Sequence, residues 1–61
     1  MELVSGELRA ETEKAILIVT EDGVEHWIPR SVIEEGEPER GAKGEYVEIY
    51  VADWFHRKIL S

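Results

Sequence analysis

Two histidines, three serines and fourteen carboxylates are the side chains of this sequence from which reaction chemistry could be built. Covalent catalysis needs a serine, cysteine or lysine activated by a neighbouring base. The chain has no cysteine and no G-x-S-x-G, and Ser5, Ser31 and Ser61 have no plausible spacing to a histidine; they read as strand, cap and terminus residues. Gly41-Ala42-Lys43-Gly44 is neither Walker-like nor followed by a helical pattern, which argues against phosphate cradling. Paired carboxylates act as acid and base only where a cleft fixes their separation and shifts their pKa values. A barrel of 61 residues offers little cleft, so the glutamates read as solvated charge. His26 and His56 could join a carboxylate around zinc, but structural zinc takes four ligands at recognisable spacing and no such motif is present. The expectation is a protein that is not an enzyme and that has no catalytic residue, metal or cofactor.

What remains is recognition, and the aromatic residues carry it. Trp27, Tyr46, Tyr50 and Trp54 could stack nucleobases, as exposed aromatics do on small barrels. Nucleic-acid affinity comes largely from lysines and arginines that neutralise phosphates, and here seven of them are dispersed among fourteen acids. Arg30 with Arg57 and Lys58 could form one local basic spot. The net charge of -7 repels phosphate backbones, so a protein partner or self-association is expected, with a single-stranded nucleic-acid-binding barrel as the alternative. Tryptophan is enriched at interface hot spots. Trp27 therefore heads a candidate partner-binding set of Ile16, Ile18, Trp27, Arg30 and Trp54.

The elements that must position these residues are short. Sixty-one residues make one domain, residues 1–61, with one modest core. Without cysteine there is no disulfide framework, and a reducing cytoplasm is the expected location. The longest apolar run, Ala15 to Val19, is far below the ~20 residues of a membrane span. Met1-Glu2-Leu3-Val4 lacks the charged and apolar regions of a secretory signal. The 43% apolar content and two tryptophans indicate a packed fold with an acidic surface.

Glu2 to Glu11 form a first strand in which Leu8 and Ala10 alternate with Glu7, Arg9 and Glu11, with a bend or bulge at Gly6. Ala15 to Thr20 is continuous and β-branched, the pattern of a central strand covered on both faces. Asp22-Gly23 then predicts a two-residue type I′ hairpin into Val24 to Ile28. That turn pairs Val19 with His26, Ile18 with Trp27 and Leu17 with Ile28, so Ile16, Ile18 and Trp27 share a face. The face is either covered by a terminal helix bearing Trp54 or offered to a partner.

Pro29 ends the strand, and Ser31-Val32-Ile33-Glu34 fits a capping box on at most one helical turn. Glu35 to Gly44, polar and glycine-rich, reads as a mobile surface loop. Tyr46 to Val51 alternates again, with Val47, Ile49 and Val51 inward and Tyr46, Glu48 and Tyr50 outward. Asp53 caps a short helix from Trp54 toward Leu60, with Arg57 and Lys58 in its last turn and Phe55 and Ile59 on one face. The predicted class is mainly β, a small SH3-like or OB-like barrel of four to five antiparallel strands with a short C-terminal helix.

Thr12-Glu13-Lys14-Ala15-Ile16-Leu17, Asp22-Gly23 and Trp27-Ile28-Pro29-Arg30-Ser31 together resemble small uncharacterised proteins encoded by bacteriophages and prophages. Those proteins carry a T-E-K-A-[IL] segment, then D-G-x-E-x-W-[IL]-P-[KR]-S, an acidic linker, a last strand and a tryptophan-containing helix. Ile49 to Phe55 looks like that closing element, although Val51-Ala52-Asp53-Trp54-Phe55 lacks the proline that usually precedes the tryptophan. The resemblance covers most of the chain and implies a phage-type accessory protein, with no activity attached. Its sharper form is an inhibitor of a host nucleic-acid-binding complex whose carboxylates imitate phosphates; the plainer one is charge that serves solubility.

Overall fold

The protein is described by a computed structural model, in backbone for residues 1–60 and in side chains through Ile59. Its elements run β1 (Glu2–Glu11), β2 (Ala15–Val19), β3 (Glu25–Pro29), a 3-10 turn (Arg30–Val32), β4 (Ile33–Glu35), β5 (Tyr46–Val51) and α1 (Asp53–Leu60). The five strands form one antiparallel sheet in the order β3-β2-β1-β5-β4. The chain is mainly β with a short C-terminal helix, in a barrel-like arrangement. No helix among the described residues is long and apolar enough to cross a membrane.

β1 is the spine. Its first half pairs with β5 and its second half with β2, so one ten-residue strand serves both arms of the sheet. The crossover requires a glycine: a Cβ on Gly6 would lie 2.3 Å from the carbonyl oxygen of Val19 and 2.9 Å from Ile18 Cγ2. Gly6 therefore marks a close approach of backbone to backbone. The bulge expected there falls instead between Leu8 and Ala10, where the register slips at Arg9. The extra residue reverses the alternation. Leu8 still faces Ile18 inside, but Ala10 now pairs with Leu17 and Glu11 with Ile16, so Ala10 points out and Glu11 in.

The β2–β3 hairpin also departs from the expected register. Its loop has three residues, Glu21-Asp22-Gly23, with Gly23 N–H donating to the Thr20 carbonyl and Thr20 N–H to that of Val24. In this loop only Gly23 is left-handed, at φ 83°, and no non-glycine among the described residues has positive φ, whereas a type I′ turn needs two such positions. The pairs are Val19 with Glu25, Ile18 with His26, Leu17 with Trp27 and Ile16 with Ile28. Each partner on β3 is one residue earlier than a two-residue turn requires, which turns Trp27 to the opposite side of the sheet.

The core follows from these registers. Leu8, Ile16, Ile18, Ile28, Ile49 and Val51 are fully enclosed, and Val4, Val32 and Phe55 complete the cluster. Phe55 enters it from α1, and Ile59, one turn on, packs at its margin. The 3-10 turn has Pro29 at its N-cap and no side-chain cap bond, so the capping box does not form. Ser31 lies inside the turn, and Glu34 belongs to β4, a strand that the sequence pattern concealed. The turn is fastened by Ala52 N–H donating to the Val32 carbonyl. The loop after β4 is tied down as well: Gly44 N–H donates to the Leu8 carbonyl, Leu8 N–H to that of Glu45, and Gly41 N–H to Glu11 Oε1.

Candidate functional site

The two faces of the sheet divide the five residues proposed as contacts. Ile16 and Ile18 lie on the inner face with no exposed surface, so they hold the fold together and cannot meet a partner. Trp27 lies on the outer face and is 53% exposed. Its grouping with the two isoleucines is corrected by the three-residue turn. Leu17, directly opposite Trp27 on the neighbouring strand, is buried yet stands apart from the core cluster. It lies on the outer face, in the cross-strand row Ala10, Leu17, Trp27. β2 is thus covered on both sides, as its unbroken apolar run suggests.

The terminal helix does not cover Trp27. Trp54 is itself 56% exposed, on the solvent side of α1, edge-on to Phe55 at 5.8 Å between ring centroids. The apolar handle that α1 presses into the core is Phe55.

Arg30 is a fastener within the chain. Its Nε and Nη2 both donate to the Thr12 carbonyl, at 3.1 and 3.0 Å, and Nη1 reaches Glu37 Oε2 at 3.3 Å. Its side chain is only 15% exposed. The planar guanidinium spans the β1–β2 turn and the loop after β4, a task that suits its fixed fork of donors. The basic spot expected from Arg30, Arg57 and Lys58 loses its first member to this role.

The outer face of β5 and its neighbours is an exposed surface that the sequence pattern did not single out. Tyr46, Glu48 and Tyr50 project from it, with Glu7 opposite Tyr46, Ser5 opposite Glu48, and Leu3 opposite Tyr50. On the other side Glu35 pairs with Tyr50. Alternation had placed the tyrosines and Glu48 on one side; the missing information was which strands lie beside them. Arg9, on the bulge, holds Glu7 at 3.0 Å.

The remaining titratable groups are structural or solvated. His26 is half-buried opposite Ile18, and His56 half-buried on α1. Glu11 uses one carboxylate oxygen to bind the Gly41 N–H at 2.9 Å, while its Oε2 is enclosed without a partner. The Thr20 hydroxyl donates to Asp22 and holds that carboxyl below the usual carboxylate range. Asp53 is held low by its hydrogen bond to the amino terminus of Met1 at 2.9 Å. Ser5 lies in β1 and Ser31 in the 3-10 turn; Ser61 lies outside the described residues. Among the described residues no three His, Cys, Asp or Glu side chains group in a way that could hold a metal ion. No protein-family model, curated protein or solved structure matches the chain.

Proposed function

We propose that the protein is a non-catalytic, cytoplasmic protein-interaction module, a phage-type accessory protein whose contact surface is the outer face of its sheet. One observation carries this reading: a half-exposed tryptophan, Trp27, stands on a strand directly across from a buried leucine in a domain with little apolar surface to spare. Burying such a ring against a partner contributes affinity at low entropic cost, because the strand already fixes its backbone. The acidic surface would steer encounter with a partner of opposite charge, including a host nucleic-acid-binding complex that the carboxylates engage in place of phosphates.

We read the barrel as SH3-like. Its support is the single 3-10 turn that carries the chain from β3 at one edge of the sheet to β4 at the other. Self-pairing through β3 is disfavoured. The bonds from Arg30 N–H to the Lys14 carbonyl and from Thr20 N–H to that of Val24 set the ladder phase, leaving Glu25, Trp27 and Pro29 to face the free edge. Pro29 has no N–H to offer a second strand. The single-stranded nucleic-acid alternative is weakened by the engagement of two of the seven cations within the chain: Arg9 by Glu7, and Arg30 by Glu37 and Thr12.

Photo-crosslinking tests the reading. A benzophenone side chain at position 27 is expected to capture a protein that the same group at Lys43 does not. Crosslinks that are absent or equal at the two positions, or saturable sub-micromolar binding of a single-stranded oligonucleotide at low salt, would sink it.

A further inference from the structure

The outer face of β4, β5 and β1 carries a chemistry that the Trp27 row lacks. Tyr46 and Tyr50 are exposed, and Glu7, Glu48 and Glu35 stand beside them on the same or adjacent strands, also exposed. Same-face neighbours along a strand lie roughly 7 Å apart, so each tyrosine ring has a carboxylate within the reach of one long side chain. The only cation in this array is Arg9, bound to Glu7; among the described residues Glu35 and Glu48 form no ion pair. Beside Leu3 and Ser5 the surface opens into a shallow cleft of about 390 Å³ whose other wall is Thr20, Glu21 and Asp22, which adds two carboxylates and no base.

We propose that this face receives an arginine-bearing, extended segment of a partner protein, with guanidinium groups lying over Tyr46 and Tyr50 while their N–H forks engage Glu48, Glu35 and Glu7. The proposal rests on the reading of the protein as an interaction module and supplies the chemistry of its partner. Arginine fits better than lysine because its planar, weakly hydrated cation stacks on an aromatic face and presents a fork matched to a carboxylate. Phosphate is repelled from the same surface by Glu48 between the rings and by Glu7 and Glu35 beside them. Within the chain, Glu7 already engages one guanidinium, that of Arg9, through a single N–H at 3.0 Å.

The test is a titration of the isotope-labelled protein, followed by amide chemical shifts, with three twelve-residue glycine-spaced peptides carrying six arginines, six lysines or six glutamates. The arginine peptide is expected to move Leu3, Ser5, Glu7, Glu35 and Tyr46 to Tyr50, and to bind at least fivefold more tightly than the lysine peptide. Glu48→Gln, nearly isosteric and exposed, should weaken the arginine peptide severalfold, and Tyr50→Ala should abolish the preference over lysine. Equal binding of the two basic peptides, shifts spread evenly over the acidic surface, or an oligothymidylate occupying this face would overturn the proposal. Trp27→Ala separates it from the broader reading. Absent arginine-peptide binding together with protein crosslinks at position 27 refutes the arginine site alone. Unchanged peptide binding by Trp27→Ala supports the arginine site alone.

Discussion

The inner and outer faces of this sheet use the same strands for opposite purposes. Inside, Ile16, Ile18, Ile28, Ile49 and Val51 leave no surface to solvent. Outside, the alternate positions of the same strands carry Trp27, Tyr46 and Tyr50, all exposed, with Leu17 and Ala10 in the cross-strand row of Trp27. The inner face excludes water and sets the fold; the outer face spends apolar and aromatic surface where solvent can reach it. In a domain that buries only ~60% of its unfolded surface, such exposure costs stability that a structural role would not require. The difference teaches that register decides which face a residue joins. One residue in a hairpin loop moves a tryptophan from the inner face to the outer one.

Substitutions can break that contrast, and the inner face should respond most. Ile18→Ala or Ile49→Ala is expected to cost about 2–5 kcal/mol, enough to unfold much of the population in a small domain, read as loss of a cooperative thermal transition by circular dichroism. Gly6→Ala is next. Its methyl would meet the Val19 carbonyl at 2.3 Å, and a loss of about 2 kcal/mol or more is expected, seen as a lower denaturation midpoint with an unchanged slope. Trp27→Ala, on the outer face, should cost about 1 kcal/mol through uncovering of Leu17, yet reduce partner capture far more than any inner substitution that still folds. A Trp27→Ala loss as large as that of Ile18→Ala would erase the distinction between the faces.

The smallest effect belongs to the hairpin that fixes the register. The Asp22 carboxyl is held below its ordinary value of 3.8 chiefly by the Thr20 hydroxyl, so its contribution is fully present above that value and is lost as pH falls through the lower, folded value. Thermal melts from pH 5 to pH 2 should show the native chain losing slightly more stability than Asp22→Asn over that interval. Identical acid curves would remove Asp22 from the account of the turn.

The sequence exposed what repeats locally and concealed what depends on a single inserted residue. Alternation in Tyr46 to Val51 correctly divided β5 into Val47, Ile49 and Val51 inside and the tyrosines outside, because nothing interrupts that strand. The helix with Phe55 and Ile59 on one face was equally legible, since the apolar spacing of one turn survives any error at its start. In β2 every residue is apolar, so the pattern cannot tell Ile16 and Ile18 from Leu17. The face assignment then rested on loop length, where Asp-Gly suits more than one turn. The bulge at Arg9 had no signal of its own, because glutamate at position 11 reads as exposed until the chain is seen to turn it inward toward Gly41. β4 escaped because three residues are too few to show a period, and Arg30 looked like a free cation because its partners lie in segments remote in sequence.

Trp27 stands on the outer face, and cross-strand nuclear Overhauser contacts in the unmodified protein test that placement directly. The predicted result is backbone proximity between Leu17 and Trp27 and between Ile18 and His26, with the indole near the Leu17 methyls and remote from those of Ile16 and Ile18. Contacts of Trp27 with Ile18 and of Leu17 with Ile28 would restore the two-residue turn, bring Trp27 onto the isoleucine face, and contradict the outer surface as the contact site.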